Sequence, residues 1–549
     1  MKNKIVWLVV SCLLVVAMLL VACAQPAEEK EAARGKPAGT LVARIGEAGT
    51  ENWIPWLGGS ATESSLWENV YDFMIYVNEE TREKKGGILE RWETSPDALT
   101  TTLWIRKGIP FHESEKWGEV TAEDIKYLFE RLAEEGSLAS KAVQVRKIES
   151  MEVVDTYTLV VHLKKEKADP IWWTNWMVSS LPTEPVTSKK YVETVGDDVA
   201  SREPIGTGPY RVVEHQVGDY AKFEAFDEHW RVVPEFKNLT LMQIPEISTT
   251  IAALKTGQID CTSVPADKIA EIKAAGFVVE TAEWGGGVVS GVFGGNSCPE
   301  DTERYNPDYH NKDPWADVRV REAMAISVDR DAISQAILFG AGKPRGVHLQ
   351  QAGSEKYLYP YDPERAKQLL AEAGYPDGFS FKIYSWARPG TPEMPAIIGA
   401  VAGYWAKIGL DASITMSDLP AYRPKAAAGE TAGEMYFART SWRSDFSIHL
   451  ARYWTPGGVY PYWLDSDFIP LANQILKETD WSKRVAGWDE ALKRMHEEVH
   501  LVPIVRIPNN YAYNGEKMRD WPHGGMPYPQ YWQYIRHAEP LNTFRLFSP

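Results

Sequence analysis

Hydrophobic and polar residues alternate along two short stretches of the chain, TTTLWIRKG and TYTLVVHLKK. In the first stretch, Thr101, Leu103 and Ile105 fall on one face, and the residues between them fall on the other. Strict alternation indicates a strand with one buried face, because successive side chains of a strand point to opposite sides of the sheet. Both stretches are therefore predicted to be β-strands.

The segment between these strands, TAEDIKYLFERLAEEG, changes to a helical period. Its apolar side chains recur at spacings of three and four residues: Ile125, Leu128, Phe129 and Leu132. Side chains at such spacings lie on one side of a helix, so this side is predicted to be buried. Thr121 precedes the first turn and Asp124 follows three residues later, a pattern similar to a capping box.

Two later stretches carry helix start and stop signals. In YDPERAKQLLAEAGYPDGF, Asp362 is predicted as the N-cap, Pro363 as the first helical residue and Gly374 as the stop. The stretch DVRVREAMAISVDRDAISQAILFGAG predicts two helices, the second capped by Asp329 and closed by Gly340. Strand and helix signals thus alternate along the chain, without an internal repeat, which predicts a mixed α/β fold.

The amino terminus has the pattern of a bacterial export signal. Lys2 and Lys4 precede an apolar run, Ile5–Ala22, and the run ends in the tetrad LVAC at Cys23. This tetrad resembles the lipobox, in which the cysteine thiol receives a lipid and the chain is cut just before it. Residues 1–22 are therefore predicted to be a lipoprotein signal peptide, with Cys23 as the lipidation site. The alternative is an uncleaved signal anchor with an incidental cysteine.

The composition limits the partners of the remaining chain. The formal net charge is −16 at pH 7, and no block of lysines and arginines is present, which argues against nucleic acid as a partner. No other stretch is as long and apolar as the signal, so we expect a soluble body. Cys261 and Cys298 could form a disulfide or remain two free thiols, and their spacing decides nothing. Most of the 22 tryptophans are expected to fill core space.

Longer motifs follow one another in a recognisable order: ILERWETSPDALTTTLWIRKGIPFHESEKWGEVTAEDIKYLFERL, PIGTGPYRVVEHQVGDYAKFEAFDEHWRVVPEFKNLTLMQIPE, AALKTGQID, WADVRVREAMAISVDRDAISQAILFGAG, YPYDPERAKQLLAEAGYPDGF and WAKIGLDASI. In this order they resemble the solute-binding proteins of peptide-type ABC importers, a family that includes dipeptide-, oligopeptide- and nickel-binding proteins. The resemblance covers about residues 40–537. It departs from the family at 112–119, where ESEKWGE replaces the usual acidic turn.

The resemblance implies an α/β, two-lobed periplasmic-binding-protein-like fold with an extra subdomain inserted in the first lobe. The implied division is a signal peptide 1–22, a flexible tether 23–39, lobe I from 40–56, 203–288 and 507–549, the inserted subdomain 57–202, and lobe II 289–506. The tether is rich in alanine and charge and lacks aromatic residues, so it cannot order itself by burying apolar surface.

The resemblance also implies a function. We expect a receptor that is lipid-anchored at the outer face of the cytoplasmic membrane or in the periplasm. It would capture an oligopeptide-like solute and deliver it to an ABC permease, driven by ATPase subunits on other chains. A monomer without a cofactor or catalytic activity is implied. The alternatives are a receptor for an oligosaccharide or a metal complex and, more remotely, a zinc hydrolase.

The zinc alternative depends on HEEVH at 496–500, which matches the H-E-x-x-H pattern of two histidines one helical turn apart. Glu498 places a charge where metalloprotease helices carry an uncharged residue, and Pro503 ends the helix almost at once. No metal site is therefore predicted. The stretch GAGKPRG at 340–346 lacks the glycine spacing and the hydroxyl residue of a phosphate-binding loop, so it is predicted to be a helix end and a turn.

The strongest candidate for binding is SWRSDFSIHLARYW. In peptide-binding relatives, a W-x-x-D motif on the second lobe places its carboxylate on the α-ammonium of the ligand, and Trp442 and Asp445 occupy these two positions. The resemblance thus implies a charge-assisted contact between Asp445 and a peptide. The family's usual continuation is absent after Asp445, and a solvated or helix-capping aspartate is the alternative.

The cluster IWWTNW suggests a different ligand. Trp172 and Trp176 would share one face of a helix, and flat indole rings can stack on sugars. The other interpretation, which we favour, is a buried aromatic cluster in the inserted subdomain.

Overall fold

The structure is a computed structural model, and it describes most of the chain. The described residues are 36–46, 48–58, 64–77, 84–139, 142–167, 169–170, 172–175, 177, 185–281, 286–295, 300, 305, 307–308, 310–348, 354–385, 391–417, 422, 424–426, 428, 430–441, 445–456, 465–521, 532, 535–538 and 545–546. The predicted signal peptide and Cys23, Trp176, Cys298 and Trp442 lie outside them. None of the helices in the described part is long and apolar enough to span a membrane.

The largest sheet has seven strands and combines the beginning, the middle and the end of the described chain. Their spatial order is Val278–Thr281, Asn510–Tyr513, Cys261–Val264, Ala38–Ile45, Phe236–Gln243, Tyr220–Ala225 and Tyr210–Gln216. The strand Ala38–Ile45 pairs in parallel with both of its neighbours. Its alternate residues Leu41, Ala43 and Ile45 are buried, which is the pattern of a strand with one face on a core.

A second sheet has six strands, in the spatial order Lys343–Pro344, Val502–Ile507, Gly287–Phe293, Glu434–Ser441, Ser380–Ser385 and Asp411–Met416. Every residue of the strands Gly287–Phe293 and Val502–Ile507 is buried. Strands that are buried on both faces are expected where helices cover both sides of a sheet. The large hydrophobic cluster around this sheet draws its residues from Val289 to Ile507.

A third sheet has four antiparallel strands, in the order Leu89–Thr94, Thr100–Ile105, Thr158–Leu163 and Ile148–Asp155. The two central strands are those predicted from alternation, and Thr101, Leu103 and Ile105 are buried as expected. Two-stranded ribbons are formed by Ile75–Val77 with Lys84–Gly86 and by Val232–Val233 with Arg545–Leu546. The first ribbon packs with the four-stranded sheet, because Ile75 belongs to the same hydrophobic cluster.

Helices of the described chain lie between and beside these strands. The α-helices are Ser64–Val70, Ser114–Trp117, Ala122–Ala133, Ala142–Val145, Lys189–Val195, Asp197–Ala200, Ile247–Lys255, Ile269–Ala274, Val318–Ile326, Arg330–Leu338, Pro363–Glu372, Met394–Ala406, Ser447–Tyr453, Phe468–Lys477 and Trp481–Glu497. Short 3₁₀ helices are Pro55–Leu57, Lys165–Lys167, Trp172–Asn175, Ala266–Lys268, Pro314–Ala316 and Ser354–Lys356. The prediction of a mixed α/β fold is confirmed.

The predicted helix signals act as expected at three starts and differ at one end. Thr121 begins a capping box with Asp124, and the Asp362 side chain accepts a hydrogen bond from the Arg365 backbone. Asp329 accepts in the same way from the backbone of Ala332. That helix ends at Leu338, before Gly340, because Phe339 already takes a left-handed conformation with φ of 52°.

The chain passes twice between the two large sheets in its described part, and the ends of the two passages are adjacent. One leads from the strand that ends at Thr281 to the strand that begins at Gly287, and the other leads from Ile507 to Asn510. Gly287 is paired with Ile507 in the six-stranded sheet. At Gly286, φ is +72° and an added Cβ would lie 1.9 Å from the Ile507 carbonyl oxygen, so only glycine fits this approach.

Candidate ligand-binding site

Asp445 follows the strand Glu434–Ser441 of the six-stranded sheet and stands just before the helix Ser447–Tyr453. Its side chain is 0% exposed. Oδ1 accepts a hydrogen bond from the backbone N–H of Ser447 at 2.9 Å, which holds the carboxylate at the start of the helix. The position is thus set by local backbone geometry, as is common for aspartate beside a helix start.

The other carboxylate oxygen of Asp445 faces two cations from separate parts of the fold. The Nζ atom of Lys84 lies 3.8 Å from Oδ2, and the Nη1 atom of Arg484 lies 3.6 Å from it. Both distances exceed those of hydrogen bonds, so these contacts are ion pairs. Lys84 belongs to the ribbon beside the four-stranded sheet, and Arg484 belongs to the helix Trp481–Glu497. Asp445 therefore lies where two bodies meet. One is the six-stranded sheet with its helices, called the six-stranded body, and the other contains the seven-stranded sheet, the four-stranded sheet and the ribbon.

Two aromatic rings lie near the Lys84 ammonium. Nζ lies 3.3 Å from the centroid of the Trp481 ring and 5.5 Å from that of Trp173. Trp481 packs edge to face on Trp488 at 5.1 Å. The indole N–H of Trp488 in turn donates a hydrogen bond to Ser447 Oγ, so the aromatic wall is tied to the helix beside Asp445.

Burial acts on the charges of this site. It lowers the pKa of Lys84 to about 8, although the attraction of Asp445 partly opposes this change and repulsion from Arg484 adds to it. Burial also lowers the pKa of the Arg484 guanidinium, against the pull of Asp445, Asp169 and Glu478. The site therefore combines one buried carboxylate with two cationic side chains whose charged forms are disfavoured by burial.

Another group of charges lies between the two large sheets. Glu393, just before the helix Met394–Ala406, interacts electrostatically with Asp267 from the seven-stranded side. Burial raises the pKa of Glu393, repulsion from Asp267 raises it further, and Arg439 lowers it. The side chain of Arg439 runs across Gly287, where a Cβ would lie 2.3 Å from its Nε. Charged side chains from the seven-stranded side and from the six-stranded side thus lie close to each other, near the two passages of the chain between these sheets.

The tryptophans predicted from sequence lie in different environments. Trp172 is 0% exposed, belongs to the core of the four-stranded sheet, and donates its indole N–H to Thr101 Oγ1 at 3.2 Å. This placement favours the core interpretation over a platform for sugars. Trp176 and Trp442 lie outside the described residues. Trp173, the neighbour of Trp172, is the ring of this cluster that turns toward Lys84.

The histidines of HEEVH do not share a helix face. The helix ends at Glu497, and Val499 takes a left-handed conformation with φ of 49°. His496 packs on the Tyr359 ring, with centroids 4.3 Å apart. His500 instead donates to the Glu498 carboxylate at 2.8 Å. The zinc motif requires both rings on one helix, and the backbone between them rules out that arrangement.

A group of possible metal ligands exists near this motif. Donor atoms of Asp465, Glu498 and His500 lie within 4.8 Å of one another. However, Arg494 is already paired with Glu498, at 2.8 Å. Because the guanidinium compensates the carboxylate charge, this cluster is best explained as an ion pair at the end of the helix.

Sequence reasoning did not find Lys84, Arg484, Trp173 or Trp481 as members of a site with Asp445. The doubled lysine in REKKGG and the tryptophan that opens WSKRVAGW are visible in the sequence. Nothing in their spacing links them, because the residues come from three distant segments. Cys261 is a free and fully buried thiol in the structure.

Comparison with known proteins gives relatives over most of the chain. Heme-binding protein A of Haemophilus influenzae is 26% identical over 468 residues, which cover 80% of this chain and 81% of the relative. The dipeptide-binding protein of Escherichia coli is 26% identical over 483 residues, which cover 81% and 84%. Both alignments extend well beyond any single motif.

A solved structure has the same fold. The ABC transporter-associated periplasmic binding protein DppA from Helicobacter pylori, in complex with the peptide STSA, matches with a TM-score of 0.66 and 21% identity. The match covers 92% of this chain and 99% of that one. The predicted fold class, an α/β fold of the dipeptide-binding type, is confirmed.

The family itself is identified by a match to its sequence model. The family model described as "Bacterial extracellular solute-binding proteins, family 5 Middle" matches residues 83–487, which include Lys84, Asp445 and Arg484. Proteins of this class bind solutes, so the chain is a receptor and not an enzyme, as predicted. The chain belongs to the bacterial extracellular solute-binding proteins of family 5.

Proposed function

We propose that this protein is the membrane-anchored receptor of an ABC importer, which captures an oligopeptide-like solute between two lobes and delivers it to the permease. The observation that carries this proposal is the pair of adjacent chain crossings between the two large sheets, at Thr281–Gly287 and at Ile507–Asn510. Two short connections with adjacent ends allow two bodies to rotate about one axis, which is the motion of hinge closure.

The proposed lobes are divided near these crossings, with Gly287, Val288 and Ile507 of the six-stranded sheet falling on the lobe I side of the boundary. Lobe I consists of 40–56, 203–288 and 507–549, the inserted subdomain of 57–202, and lobe II of 289–506. The contact of Asp445 with Lys84 supports this division, since it is a buried contact between lobe II and the inserted subdomain. Asp445 is proposed to lie at the ligand cleft.

A peptide is the first candidate for the ligand, because one relative is named for dipeptides and the matched structure contains a peptide. A metal complex is the second, because another relative is named for heme. To decide, the protein would be purified from its native host, and the bound solute would be identified by mass spectrometry. Calorimetry with peptides, oligosaccharides and hemin would follow. A peptide is expected, and saccharide or hemin binding without peptide binding would refute this assignment.

The lipid anchor at Cys23 is tested separately. Cys23→Ser should abolish labelling of the protein by a palmitate analogue and should prevent cleavage after Ala22, because the thiol accepts the lipid. Cys12→Ser is the matched control, since this cysteine lies within the apolar run and should not affect labelling. Unchanged labelling of Cys23→Ser would show that another residue carries the lipid.

A further inference from the structure

We propose that Lys84 supplies, from within the chain, the ammonium group that closes the cleft on Asp445, so that the ligand of this receptor needs no free amino group. The proposal rests on the proposed function and specifies its ligand class. Solutes without a cationic amine, such as amino-blocked peptides or neutral and anionic solutes, would be preferred.

The first support is that both carboxylate oxygens of Asp445 already have contacts within the chain. Its Oδ1 is bonded to the backbone of Ser447, and its Oδ2 faces Lys84 and Arg484 at 3.8 and 3.6 Å. The carboxylate is fully buried and accepts no other hydrogen bond from the described residues. A ligand ammonium at the same place would be a third cation beside the Asp445 carboxylate, after Lys84 and Arg484. Because these three side chains are buried, solvent screens their charges only weakly, and such a ligand would be repelled.

The second support is the chemistry of the site that the Lys84 ammonium occupies. An aromatic face at 3.3 Å and a buried carboxylate are the two groups that recognise an ammonium in a protein. Here Trp481 and Asp445 provide both, and both belong to the six-stranded body, whereas the ammonium comes from the ribbon. The site is thus built for an ammonium, and the chain itself provides it.

The third support is the anchoring of the ribbon. Tyr76, on the partner strand of the ribbon, donates a hydrogen bond to the buried carboxylate of Asp72 at 2.7 Å. Lys85 pairs with Tyr76 across the ribbon and is exposed, so it does not reach Asp445. Lys84 is therefore presented from a ribbon that is hydrogen-bonded to a buried carboxylate, and Lys85 is a natural control.

The ligand class is tested by competition between two pools of the same tripeptides, one with free amino termini and one N-acetylated. Equilibrium dialysis with a mass-spectrometric readout would compare the parent chain with Lys84→Met, Lys84→Arg and Lys85→Met. The parent should retain the acetylated pool over the free pool. In Lys84→Met, this ratio should shift toward free peptides by about tenfold or more, since one cation is removed from the carboxylate. Lys84→Arg and Lys85→Met should behave like the parent.

The opposite result has a clear meaning. If the parent prefers free peptides and Asp445→Asn abolishes that preference, Asp445 binds the ligand's ammonium and the proposal is overturned. If no variant retains any peptide, the peptide assignment of the proposed function fails, and the role of Lys84 is then decided by a measurement without ligand.

That measurement is the distance between the two bodies, by pulsed electron paramagnetic resonance on spin labels at Val154→Cys and Met416→Cys. Both positions are exposed, at 56% and 59%, and Cys298→Ser would remove a competing thiol. In Lys84→Met the distance distribution should move to longer separations, because the ammonium no longer links the bodies, and Lys85→Met should leave it unchanged. An unaltered distribution in Lys84→Met would refute the proposal.

Discussion

Two buried carboxylates, Asp72 and Asp445, contact different strands of the same ribbon, through Tyr76 and Lys84, and both are 0% exposed. Asp72 receives four hydrogen bonds: from His229 Nε2 at 2.9 Å, Trp230 Nε1 at 2.7 Å, Tyr76 OH at 2.7 Å and Arg231 Nη2 at 3.2 Å. Asp445 receives one, from its own helix start, and its other contacts are ion pairs at 3.6 and 3.8 Å.

The difference shows how each carboxylate connects the ribbon to the rest of the protein, and each connection is called a joint here. The donors to Asp72 satisfy the carboxylate within hydrogen-bond distance. Three of them, His229, Trp230 and Arg231, tie the ribbon to the loop between the strands Tyr220–Ala225 and Val232–Val233, which makes a permanent joint. Of the partners of Asp445, Arg484 belongs to the same body and Lys84 belongs to the ribbon. Lys84 contacts the carboxylate only by charge, so it can separate without leaving a broken hydrogen bond. We infer that the ribbon is fixed on one side and separable on the other.

The largest effect is expected from Asp72→Asn. This change leaves His229 and Arg231 buried beside an uncharged group, and the free energy of unfolding should fall by about 3–5 kcal/mol in urea titrations. Burial alone raises the pKa of Asp72, but its contacts with His229, Arg231 and Tyr76 outweigh burial and hold that pKa well below its usual value. The stabilisation is therefore present above about pH 4 and lost as the pH falls. A loss below 1 kcal/mol would contradict a permanent joint.

A smaller effect is expected from the titration of Lys84. Its pKa falls from 10.5 to about 8 on burial, so between these values the unfolded chain holds a proton that the folded chain has released. Stability should consequently rise with pH across this window, by at most about 3 kcal/mol. The measurement is the difference in unfolding free energy between the parent and Lys84→Met from pH 7 to 11. A difference that stays constant would show that Lys84 is not buried.

Asp445→Asn should cost about 2 kcal/mol, less than Asp72→Asn, because charge contacts longer than hydrogen bonds are lost. The same variant should lengthen the distance between the bodies. A double-mutant cycle with Lys84→Met measures the coupling, since removing both charges should cost less than the sum of the single changes. Additive costs would show that the two side chains do not interact.

The smallest effect is expected from Trp481→Leu, at about 1 kcal/mol, because it removes one aromatic face from the Lys84 ammonium. The same substitution in a Lys84→Met background is the control, and thermal unfolding of the four proteins is the measurement. If Trp481→Leu costs as much without the ammonium as with it, the ring acts only by packing on Trp488.

Local chemistry made much of the fold predictable. The two strands around Leu103 and Leu159, the buried side of the helix Ala122–Ala133, and the caps at Asp329 and Asp362 depend on neighbours within a few residues. The helix end at Phe339 differed because its left-handed turn began one residue before the expected glycine. Such details follow backbone geometry that composition does not show.

The order of motifs also identified the family and the fold class, because both are properties of the linear pattern. The interpretation of HEEVH required more: a left-handed residue at Val499 separates the two histidines, and no spacing rule reveals it. Likewise, the need for glycine at Gly206 and Gly208 has a cause that lies elsewhere in the chain. Their requirement comes from Val70, whose carbonyl oxygen would lie 2.0 Å from a Cβ on Gly206.

The sequence by itself determined the elements, the fold class, the family and the candidacy of Asp445, since each rests on local pattern or order. Only the tertiary structure decided what surrounds that carboxylate. Lys84, Asp445 and Arg484 come from segments far apart in the chain, and their distances depend on how two bodies are joined. Charge acts through space, whereas a sequence records only neighbours along the chain. The contact between the Lys84 ammonium and Asp445 is therefore shown only by the tertiary structure.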